Sequence, residues 1–101
     1  MAVLALRDSG RRRRQATRVL AGDTWAQALN RFMHHAREKW GWSDGQPWSY
    51  QMWAVWFALN RHHKMLPNVC DRLEHRMNMA KMQGLSADQF DVQLRTPQVP
   101  A

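Results

Sequence analysis

The residues best suited to chemistry in this chain are its arginines, its histidines and its one cysteine. Arg7, Arg11, Arg12, Arg13, Arg14 and Arg18 fall within the first twenty residues against a single acid, Asp8, a local charge of +5. Residues 21–101 carry nine basic and seven acidic side chains, so most of the basic excess sits in the N-terminal segment. No lysine shares that segment, and guanidinium forks grip phosphate or carboxylate through two parallel hydrogen bonds. The pattern is that of an arm contacting nucleic acid, DNA or RNA, or an acidic protein surface. Binding of that kind weakens steeply with salt, because it is driven by release of condensed counterions.

The five histidines point elsewhere. His34 and His35 are adjacent, as are His62 and His63, with His75 further on. Neighbours on a helix point about 100° apart, so each pair offers at most one ligand to a given point. No HExxH motif or cysteine pair fixes a convergent site. No metal and no cofactor is therefore expected. Cys70 stands five residues from His75, a spacing at which the two diverge on one helix, and a lone cysteine packs as a small hydrophobe. With no phosphate-cradling glycine loop and no serine elbow, the expectation is a protein that is not an enzyme.

The elements holding these residues follow from apolar spacing. The chain divides into a basic arm over 1–22, a helical domain over 23–95 and a tail over 96–101, giving an all-α fold. Trp25, Ala28, Leu29, Phe32, Met33, Ala36 and Trp40 mark one stripe of a first helix from Thr24 to Trp40. Thr24 and Gln27 form a capping box, and Gly41 suits the C-terminal cap. A second helix is expected from Pro47 to Met65. A third is expected from an Asn68 cap to Gln83, with Val69, Leu73, Met77 and Ala80 inward and Gly84 closing it. A short fourth follows, where Ser86 and Gln89 repeat the capping box and Leu85 with Phe90 make a hydrophobic staple.

The second helix carries WSYQMWAVWFAL, residues 48–59, in which ten of twelve side chains are apolar or aromatic. Trp48, Met52, Val55, Trp56 and Leu59 fall on one side; Tyr50, Trp53, Ala54, Phe57 and Ala58 cover most of the other. A helix without a wide polar face is buried all round or docks outside its own domain. Six tryptophans are many for so small a core. Trp53 and Phe57, with Trp42 in the preceding loop, are accordingly expected to dock a protein partner or a second copy. No apolar run reaches the roughly 18–20 residues of a membrane span, so no membrane partner is expected. MAVLAL is too short for a secretory core, which points to an intracellular protein, in the cytoplasm or inside a particle.

MAKMQGLSADQF, around Gly84, resembles the centre of the helix-turn-helix family. That resemblance, over residues 76–95, implies a second helix lying in the DNA major groove. Ser86, Gln89, Gln93 and Arg95 would then be the residues facing DNA. The chain departs from the family where Gln93 takes a usually apolar position and where Asp88 and Asp91 would repel phosphate. Two functions follow as expectations. The first is a structural or adaptor subunit of a nucleoprotein or virion-like (phage-like) assembly, docking by its Trp-rich face. The second is a helix-turn-helix regulator.

Overall fold

The computed structural model describes residues 24–96, and every regular element among them is an α-helix. Helix α1 spans Trp25–Lys39, α2 Tyr50–His62, α3 Pro67–Met82 and α4 Ala87–Arg95. The 1–22 arm and residues 97–101 lie outside the described residues.

Local chemistry sets most of the boundaries. The Thr24 hydroxyl accepts the Gln27 N–H at 3.1 Å while the Gln27 side chain accepts the Thr24 N–H at 3.1 Å, so both halves of the first capping box form. Ser86 and Gln89 do the same at α4, at 3.1 and 2.9 Å. Gly84 has φ +79°, a left-handed conformation that costs glycine little. It lets the Leu85 N–H reach back to the Ala80 carbonyl at 3.0 Å, satisfying a carbonyl orphaned at the end of α3. Gly41, at φ +69°, serves the end of α1 in the same way.

Three expected boundaries need correction. Helix α2 starts at Tyr50 and not at Pro47, because the Ser49 hydroxyl accepts the Met52 N–H at 3.1 Å and fixes the N-cap there. Its end comes at His62, before Met65. Lys64 takes φ 55°, and the Met65 N–H closes onto the Asn60 carbonyl at 2.8 Å. Asn68 does not cap α3: Leu66 holds the N-cap position at φ 49° with no side-chain hydrogen bond, and Pro67 is the first helical residue. Two non-glycine residues in left-handed conformation cost on the order of 1–3 kcal/mol each. The corner between α2 and α3 is therefore held by the packing around it.

That packing centres on α2. On one side Met52, Val55 and Leu59 meet Ala28, Phe32 and Ala36 of α1, with Met33, Trp40, Trp42, Trp48 and Trp56 around them. On the other, Phe57 meets Cys70, Met77 and Ala80 of α3 and Phe90 of α4, with Tyr50, Trp53, Leu73, Leu85 and Leu94 adjoining. Trp56 touches both clusters. On α3 the centre of the inward stripe is Cys70, with Val69 only half-buried. Asn60 is the one buried polar residue of the described core. It accepts the Trp25 indole N–H at 2.9 Å and donates to the Trp56 carbonyl at 2.8 Å, which ties α1 to α2. The Tyr50 hydroxyl lies 2.8 Å from the Leu85 carbonyl and ties the start of α2 to the turn before α4.

Phe57 is 1% exposed, which tests its role directly. Phe57→Ala is expected to lower the unfolding free energy by about 3–5 kcal/mol, read by urea denaturation. A loss below about 0.5 kcal/mol would be that of a surface residue.

Candidate functional site

The arginine arm (Arg7, Arg11, Arg12, Arg13, Arg14, Arg18) lies outside the described residues. What the fold supplies is the electrostatic setting of the body to which the arm is joined. Three of the body's arginines are taken up by carboxylates. Arg37 meets Asp44 at 2.8 Å across the α1–α2 loop. Arg61 on α2 forks onto Glu74 of α3, at 2.7 and 3.1 Å, and reaches Asp71 at 3.3 Å. Its hydrogen bond to Glu74 outweighs the opposing effect of burial and raises its pKa further. Arg95 pairs with Asp91 at 2.8 Å within α4.

The three residues expected to dock a partner are split by the fold. Phe57 belongs to the core between α2 and α3, so its assignment to docking is corrected: its side chain is covered by its own chain. Trp42 and Trp53 are half-buried and help line an open cleft of ≈ 420 Å³ between the α1–α2 loop and α4. Trp42 has two contacts there. Its indole N–H donates to the Gln46 carbonyl at 3.0 Å, and the Arg37 guanidinium stands 5.7 Å from its ring. Trp53 stacks on Phe57 at 5.9 Å and lies 4.7 Å from Trp48. Its indole nitrogen is buried without a hydrogen-bond acceptor, among aromatic rings. Trp48 and Leu94 complete the apolar lining, with Asp91 and Arg95 also at the cleft. The sequence puts Trp48 inside α2. It becomes a cleft wall because Ser49 starts the helix after it.

The residues that would read DNA are engaged in holding α4. The Ser86 hydroxyl and the Gln89 side-chain carbonyl are both used in the cap, and Arg95 is in its ion pair with Asp91. Gln93 is exposed. Gly84 lies in the turn that joins α3 to α4.

Among the described residues no group of three or more His, Cys, Asp or Glu side chains is placed to hold a metal ion. His62 and His63 contact each other with ring centres 4.9 Å apart, and His35 packs edge-on against Trp40 at 5.0 Å. Burial, then the nearby charges of Lys39 and His34, lower the His35 pKa. No helix among the described residues is long and apolar enough to cross a membrane. Compared with known proteins, the chain matches no family model, no curated protein and no solved structure.

Cys70 is fully buried, and burial is the main cause that pushes its thiol pKa up. The unfolded thiol ionises near 8.5 while the folded one stays protonated to higher pH. The stabilisation this gives is complete below that value and is lost as pH rises towards the folded pKa. Native protein at pH 8 should therefore resist thiol reagents and react fully in denaturant. Rapid native labelling would place Cys70 outside the core.

Proposed function

We propose that this chain is a non-enzymatic structural or adaptor subunit of a nucleoprotein or virion-like assembly. Its arginine arm engages nucleic acid, DNA or RNA, or an acidic neighbour, and its helical body is the rigid part that the assembly holds. The observation that carries the reading is the segregation of charge. Six arginines face one acid in residues 1–20, whereas Arg37, Arg61 and Arg95 of the body are matched to carboxylates. Phosphate contacts made by such an arm need no fixed partner geometry, and their strength comes from counterion release. The burial of Phe57 adds support, because it removes that residue as a docking contact and leaves the arm as the most chemically distinctive segment.

A second reading, a helix-turn-helix DNA-binding regulator, draws on the corner formed by α3, Gly84 and α4. It is the weaker of the two. Ser86 and Gln89 are committed to the cap, and Asp88 and Asp91 bring negative charge to the helix that would approach phosphate.

The two readings separate in one titration of nucleic acid at several salt concentrations. Replacing Arg11, Arg12, Arg13 and Arg14 by glutamine should cut the slope of log affinity against log salt by roughly 3–4, at 0.7–0.9 per lost phosphate contact. Gln93→Ala should leave affinity unchanged for every DNA sequence tried. An unaltered slope in the arginine variant, or a sequence preference lost with Gln93, would favour the regulator.

A further inference from the structure

The outer face of α3 has a composition that neither the arm nor the core explains. The helix carries two carboxylates, Asp71 and Glu74, and both are turned onto Arg61 of α2. The outward surface carries Arg72, Arg76, Met79 and Met82, together with the exposed polar residues His75 and Asn78 and the largely solvated Asp71. Arg72 is exposed and Arg76 half-exposed, and neither has an ion-pair partner among the described residues. Met79 and Met82 follow at 43% and 81% exposure. Positions 72, 76, 79 and 82 fall within about 120° of the helix surface, away from the buried Cys70 and Met77, with the half-exposed Arg76 bordering Ala80. Apolar side chains of this size left partly or mostly in water gain by being covered, and methionine adapts to the shape of what covers it.

We infer that this face docks an acidic amphipathic helix of a partner protein, with carboxylates meeting Arg72 and Arg76 and apolar anchors covering Met79 and Met82. Charge complementarity selects that occupant. A second copy of this chain related by a two-fold axis would bring the same basic face against it, in a molecule of net charge +7. A phosphate backbone would satisfy the arginines and leave both methionines in water. A helix with acids beside an apolar stripe matches both halves, in the helix-on-face mode of recognition. The inference rests on the adaptor reading only in giving the body something to hold; the surface itself is independent of the arm.

The test uses the full chain carrying glutamine at Arg11, Arg12, Arg13 and Arg14, so that the arm does not capture acidic probes by itself. The probe is a labelled synthetic helix with glutamates flanking a leucine stripe, followed by fluorescence anisotropy. Binding is expected, weakened about tenfold or more by the pair Arg72→Glu and Arg76→Glu and by about tenfold in Met82→Ser. All of these positions are on the surface, so each variant should keep the parent melting temperature. Three results would overturn the proposal. They are no binding, equal binding of a peptide with the same composition in scrambled order, and binding of phosphatidylserine vesicles in place of the peptide. Failure of the arm reading has a different signature, an unchanged salt slope for nucleic acid, and would leave this peptide titration intact.

Discussion

An apolar helix has to be covered on every side, and α2 imposes that requirement on the whole domain. Its Met52–Val55–Leu59 side takes α1, and its Phe57 side takes α3 and the Phe90 end of α4. A domain this small has little surface to spare for the task, and the connections show it. The chain turns from α2 into α3 within four residues, with Lys64 and Leu66 both left-handed. That strain is tolerable because the burial of Phe57, Cys70 and Met77 depends on α3 coming back directly. Trp56, touching both clusters, makes the two halves of the core one structure.

Burying the aromatic surface also meant finding partners for its polar atoms. Asn60 and the Tyr50 hydroxyl solve this for Trp25 and for the turn at Leu85, and each bond crosses between elements far apart in sequence. A buried donor left unpaired costs about 1–3 kcal/mol, so these two contacts specify the register of α2 as well as adding to its stability. The Trp53 indole is the exception. Its nitrogen is buried without a hydrogen-bond partner, while its ring packs on Trp48, Trp56 and Phe90. It sits at the edge of the cleft, where the core is least complete.

Much of this was legible in the residues. The two capping boxes and the glycine ends could be read because each is settled within four or five residues of chain. The division of α2 into two faces could be read because helical spacing alone decides it. What spacing does not decide is which covering element meets a face. Phe57 looks like a docking residue until α3 is seen to return over it, and that return depends on Lys64 and Leu66 adopting conformations that their side chains disfavour. The ends of α2 differ from the expected Pro47 and Met65 for a related reason. Pro47 and Pro67 mark where a helix is permitted to begin, but the Ser49 hydroxyl fixed the first start and backbone closure at Met65 fixed the end. On the functional side, the imbalance of arginine could be read directly. Which body arginines meet carboxylates could not, because the pairing of Arg61 with Glu74 joins different helices.

On the proposed reading the body is a folded scaffold and the arm makes the contacts with nucleic acid. Amide hydrogen exchange on the full chain, alone and with single-stranded or duplex nucleic acid, addresses both halves together. The amides of Val55, Leu59 and their neighbours in α2 should exchange among the slowest in the free protein and keep the same rates when nucleic acid is added. New protection should appear within residues 7–18. Fast exchange through α2 in the free chain, or new protection concentrated in α4 and absent from the arm, would contradict it.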